Sequence, residues 1–122
     1  MPIQLSRIVV FARDKRESAR FLADLLGLDE PKSVGAFTAV RLGDGVTLHY
    51  AQPGADFPRQ RYTFLVGDAD FDSIFARIRE WGLPYWADPY RRRMGELDTQ
   101  GGGRRLYLDD PSGHGLEITT RL

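Results

Sequence analysis

The chain has 122 residues, the size of one domain, with 42% apolar and 28% charged residues, an ordinary soluble composition that buries a core without staples. Lysine plus arginine and aspartate plus glutamate balance at 17 each, so no global field draws in nucleic acid or an anionic membrane. There is no cysteine, which excludes disulfides, thiol catalysis and thiolate zinc sites. No segment approaches the roughly 20 apolar residues of a membrane helix. The opening MPIQLSRIVVFARDKRES has its apolar run broken too early for a signal peptide. These features together set the expectation of a cytoplasmic protein.

In chain order, residues 5–11, LSRIVVF, predict a strand. ARDKRESARFLADLLGL follows, with Ser18, Phe21, Leu22, Leu25 and Leu26 on one stripe. That spacing predicts an amphipathic helix, with Asp14 as N-cap and Gly27 as C-terminal stop. FTAVRL (37–42) and VTLHY (46–50), joined by Gly43-Asp44-Gly45, read as a hairpin. AQPGADFPRQ (51–60) carries the breakers of a linker.

The order then recurs. RYTFLV (61–66) reads as a strand, and ADFDSIFARIREWG (69–82) as a helix with Phe71, Ile74, Phe75, Ile78 and Trp81 on its stripe. Residues 83–103 are punctuated by Pro and Gly, with a short strand expected at Tyr85–Ala87. RRLYLDD (104–110), a DPSG turn and HGLEITT close the chain as two strands. A shift of 54 superposes Arg7 on Arg61, and a shift of 68 superposes Leu48-His49-Tyr50 on Leu116-Glu117-Ile118. The expected organisation is a single domain over 1–122, with module one about 1–53, a linker about 54–59 and module two about 60–122.

Strand side chains alternate between faces. If the more apolar faces pack on the helices, the others carry Arg7, His49, Arg61 and Glu117. Polar groups converging on partly apolar strands make a small-molecule site. With two arginines and one carboxylate, one guanidinium is left over for an anionic ligand. The competing reading is an ion pair of Glu117 with Arg7 or Arg61 that plugs the cavity. Tyr85, Trp86 and Tyr90, before Arg91, Arg92 and Arg93, read as an aromatic lid or basic rim, or as core aromatics under a solvated loop. His114, in the turn, is expected to be exposed and without a role. Gly101-Gly102-Gly103 lacks the Lys-Ser/Thr of a phosphate loop and reads as a flexible entry to the next strand.

The opening strand with ARDKRESARFLADLLGL, and the closing GRRLYLDDPSGHGLEI, resemble the vicinal oxygen chelate superfamily of glyoxalase I, bleomycin-resistance proteins, fosfomycin-resistance enzymes and extradiol dioxygenases. The closing segment is similar to that family's DP-x-G-x-x-x-E signature. The resemblance implies an α+β fold in which two βαβββ modules pair into a cupped mixed β-sheet. It also implies a homodimer and a small-molecule ligand. Glu117 falls on the family's terminal carboxylate ligand. The first-strand histidine position is Arg7, its counterpart is Arg61 or, with a one-residue shift, Tyr62, and the remaining position is Thr47 or His49.

Arginine cannot ligate a metal. A guanidinium about 6 Å from a dication costs on the order of 5 kcal/mol at an effective dielectric near 20. The expectation is therefore a degenerate metal site, with no cofactor or a divalent metal (Zn, Ni, Mn or Fe) on His49 and Glu117. The preferred reading is a protein that binds a polar or aromatic anionic ligand, with Glu117 and His49 as catalytic candidates and Arg7, Arg61, Tyr62 and Trp86 as ligand-binding ones. The alternative is a divalent-metal-dependent lyase, isomerase or dioxygenase. A third reading is a dimeric protein whose pocket is closed by its own ion pairs.

Overall fold

The computed structural model describes residues 2–43 and 45–122. The chain forms two compact units, Met1–Pro58 and Arg59–Leu122. The class is α+β, with two helices and two mixed sheets.

The first unit runs β1 (Arg7–Phe11), α1 (Lys15–Leu26), β2 (Lys32–Val34), β3 (Phe37–Arg41) and β4 (Thr47–Ala51). Its sheet order is β1-β4-β3-β2. β1 and β4 are parallel, which the helical crossover makes feasible. α1 starts where expected: Asp14 accepts hydrogen bonds from the backbone N–H groups of Arg16 and Glu17, and the helix ends on Gly27 at φ 71°, left-handed backbone that glycine adopts without a Cβ penalty. α1 packs on β3 and β4, burying Ser18, Ala19, Leu22, Ala23 and Leu25. The hairpin of β3 and β4 forms as expected; Asp44 of its turn lies outside the described residues. β2 was not anticipated. Its three residues are all exposed, so it has no apolar alternation to announce it.

The second unit runs β5 (Arg61–Leu65), α2 (Asp68–Glu80), a short 3-10 turn (Gln100–Gly102), β6 (Arg105–Asp109) and β7 (Gly115–Thr119). Its sheet order is β5-β7-β6, with β5 parallel to β7. The strand expected at Tyr85–Ala87 shrinks to bridges at Trp86. Its N–H donates to Tyr107 at 2.9 Å and its carbonyl accepts from Tyr107 at 2.8 Å. The first unit's order is thus repeated, with the place of β2 held by one residue. Phe71, Ile74 and Ile78 of α2 are buried, but Trp81 is 42% exposed; it sits past the last turn as the C-cap, outside the packed stripe. No helix among the described residues is long and apolar enough to cross a membrane.

Candidate functional site

The register of the second sheet decides which side chains share a face. Thr63 and Tyr107 lie directly opposite Glu117 on its two sides. Arg61 and Asp109 flank Gly115, and Leu65 and Arg105 flank Thr119. Because alternate residues share a face, Arg61, Thr63, Arg105, Tyr107 and Glu117 form one polar face. The opposite face carries Leu106, Leu108, Leu116 and Ile118, all buried.

Glu117 is fixed by two bonds. Oε1 accepts from the Thr63 hydroxyl at 3.1 Å, and Oε2 lies 3.1 Å from Nε of Arg105. Its side chain is 14% exposed, against 33% for Arg105. Each carboxylate oxygen has a second lone pair, so Glu117 can still accept from a ligand hydroxyl. The ion-pair partner of Glu117 is therefore Arg105, where Arg7 or Arg61 was expected. Among the described residues Arg61 has no carboxylate within 4.0 Å; its guanidinium lies 5.9 Å from the centre of the Tyr107 ring. Burial, reinforced by the Glu117 charge, pushes the Tyr107 hydroxyl above its ordinary pKa, so it stays a neutral donor at physiological pH.

Tyr62 faces the other way. It pairs with Leu116, and its ring meets that of His114 edge-on at 5.8 Å. The register thus resolves the one-residue choice: Arg61, not Tyr62, shares the face of Glu117. Trp86 joins this side through its bridge to Tyr107 and carries the Arg91 guanidinium 5.1 Å from its ring centre. His114 is buried at 1% exposure, a correction to the exposed turn residue expected. Its ring Nδ1 accepts from the Gln60 N–H at 2.9 Å, tying the turn to the start of β5, and its backbone N–H donates to the Asp110 carboxylate at 2.8 Å.

In the first unit, Arg7 pairs with Thr47, and His49 lies between Val9 and Ala39. Arg7 and His49 therefore sit on one face, as alternation requires. His49 is 6% exposed, its Nδ1 has no hydrogen-bond partner among the described residues, and its ring meets Phe37 edge-on at 5.2 Å.

A divalent metal needs about three protein ligands. Among the described residues no group of three or more His, Cys, Asp or Glu side chains is placed to hold one. In the second unit, Glu117 is surrounded by a hydroxyl, a phenol and guanidiniums; in the first, His49 lies among apolar groups. Within either unit the donor set does not fit a resident divalent cation.

Arg105, Thr63 and Tyr107 were not anticipated. Their signal was available only through register: once β6 and β7 are paired, Tyr107 falls opposite Glu117 and Arg105 one diagonal step away.

This fold, with a carboxylate at the fourth position after Ser112-Gly113, defines a class. The chain belongs to the Glyoxalase/Bleomycin resistance protein/Dioxygenase superfamily, whose sequence profile it matches over residues 4–118. Two solved structures are similar throughout. The chain is 50% identical to Oxidase ChaP-H1, with a TM-score of 0.96, covering 99% of this chain and 98% of that one. It is 52% identical to Oxidase ChaP-H2, again at 0.96, covering 100% and 96%. Glutathione transferase FosA of Serratia marcescens is 26% identical over 120 residues, which is 93% of this chain and 78% of that protein.

Proposed function

We propose that this protein acts on a small polar or aromatic anionic molecule held on the Arg61–Glu117 face, and that it oxidises that molecule with dioxygen as the electron acceptor. The observation that carries the binding reading is the allocation of charge. Glu117 is neutralised by Arg105, while Arg61 has no carboxylate partner among the described residues. A guanidinium without a counter-charge beside phenol and indole rings suits an anionic oxygen on a flat ligand. Glu117 accepts a hydrogen bond from a ligand hydroxyl and orients it. The support for oxidation is the 50% and 52% identity to two oxidases along the whole chain. The metal site is degenerate in this reading. The 122 residues act as one functional domain of two modules joined near residues 54–59, as a homodimer in the cytoplasm.

One observation favours the alternative of a divalent-metal-dependent lyase, isomerase or dioxygenase: His49 Nδ1 is buried without a partner, as a ligand nitrogen awaiting a cation would be.

The test is oxygen uptake with a panel of hydroxylated aromatic acids. Turnover that falls about tenfold or more in Arg61→Gln and in Glu117→Gln, as loss of a charge-assisted contact implies, supports the reading. Turnover untouched by both variants contradicts it.

A further inference from the structure

At the Gly115 end of the same face three guanidiniums converge. Arg59, Arg61 and Arg91 line one cleft with Trp86, Tyr107 and Asp109. The cleft has room for about one water-sized group, roughly 10 Å³. Two of the guanidiniums share a single carboxylate: Asp109 lies 3.0 Å from Arg59 and 2.7 Å from Arg91. The other nearby carboxylate, Asp88, accepts from the backbone N–H groups of Tyr90, Arg92 and Arg93, so it holds the loop rather than a guanidinium.

The backbone is shaped to bring these charges together. A Cβ on Gly115 would come 2.8 Å from Nη2 of Arg59, so Arg59 lies across the strand only because that residue has no side chain. Arg59 also donates to the Gly113 carbonyl at 2.7 Å. Arg91, at φ 61°, is the one non-glycine among the described residues with positive φ, a conformation disfavoured for side-chain-bearing residues. Through it Arg91 reaches both Asp109 and the Trp86 face. Like charges gathered this way, against backbone preference, have a use when a second anion joins Asp109.

We infer that this cleft is the seat for a carboxylate group carried on an aromatic ring, with Arg61 as its main clamp and Asp109 as an internal carboxylate that shares Arg59 and Arg91 with it. Room for one water-sized group admits a single ligand oxygen between the guanidiniums, so the carboxylate enters by one oxygen and the rest of the ligand stays at the mouth. The aromatic ring of the ligand then lies toward Tyr107 and Trp86. This deepens the reading of the preceding section and rests on it.

The experiment uses Trp86 as reporter. The chain has two tryptophans, and Trp81 is a half-exposed C-cap, so Trp81→Phe leaves Trp86 alone. Benzoate, benzamide and inorganic phosphate are titrated against its emission at constant ionic strength. The expected result is a saturable response to benzoate. It should weaken about tenfold in Arg61→Gln with the loss of a charge-assisted contact, and tighten about threefold in Asp109→Asn as a competing anion is removed. Arg61 is exposed, so Arg61→Gln remains a clean test even if Asp109→Asn folds poorly. Equal response to benzamide, tighter binding of phosphate, no saturable response, or an unchanged Arg61→Gln would each overturn the assignment. Benzoate binding without any oxygen uptake would overturn the oxidase reading and leave this one standing.

Discussion

Glu117 and Arg105 pair across a diagonal of the second sheet, 3.1 Å apart, and the carboxylate is the more buried partner. Arg105 has further contacts with the Thr119 hydroxyl and the Arg121 carbonyl, whereas among the described residues Glu117 has only Thr63 besides. Removing the arginine should therefore hurt more than removing the carboxylate. Arg105→Gln is expected to cost about 2–3 kcal/mol, below the full value for a buried pair because both groups keep some solvent. Glu117→Gln, which retains the Thr63 contact, is expected to cost about 1 kcal/mol. Urea unfolding of both variants checks the order; equal or reversed costs would contradict it.

His49 gives an opposite expectation. A buried, unpartnered ring nitrogen costs about 1–3 kcal/mol relative to a satisfied one. Replacing it with an apolar side chain removes that penalty, so His49→Leu should leave the thermal midpoint unchanged or raised. A fall equivalent to more than about 2 kcal/mol would show that His49 makes a contact that the orphan nitrogen does not suggest.

Two aspartates should give stability opposite pH slopes. Burial raises the Asp110 carboxyl above its ordinary range, against the hydrogen bonds from His114 and Ser112. Its contribution is complete below the ordinary value near 3.9 and is lost as pH rises through the raised one. The stability of the parent chain relative to Asp110→Asn should thus decline upward from about pH 4. Asp88 is half-buried, yet its carboxyl is held below the ordinary value, because the N–H groups of Arg93, Arg92 and Tyr90 outweigh its desolvation. Its contribution is present above about pH 3.9 and lost only as pH falls through the lower value. The amide shifts of Arg92 and Arg93 should therefore titrate with a midpoint below 3.9; a midpoint at or above it would contradict the loop geometry.

Gly115 tests the seat of Arg59. A methyl group there meets the end of a flexible side chain, so Gly115→Ala should cost about 1 kcal/mol or less in stability. The same variant should weaken benzoate several-fold, because Arg59 must leave its place across β7. Unchanged benzoate affinity at unchanged stability would show that Arg59 contributes nothing to the cleft.

Much of this was legible in local sequence. Asp14 and Gly27 bracket α1 because capping chemistry is local. Alternation in RYTFLV and GLEITT placed Arg61 and Glu117 on polar faces. What alternation does not carry is register, and register chose Arg105 as the Glu117 partner and turned Tyr62 toward His114. His114 misled for a related reason. A histidine in an Asp-Pro turn reads as solvent-facing, yet its ring is drawn inward by the Gln60 N–H, 54 residues away in sequence. The fully exposed β2 gave no periodic signal at all.

On the proposed reading, the second sheet presents an anion-binding face organised by guanidiniums, not a metal shell centred on Glu117. The most direct test of that reading is elemental analysis of untagged protein incubated with manganese, iron, nickel and zinc and then desalted. No stoichiometric retention of any of them is expected, in the parent chain or in Glu117→Gln. About one equivalent of metal per chain, lost in both Glu117→Gln and His49→Ala, would contradict it and establish the metal-dependent reading instead.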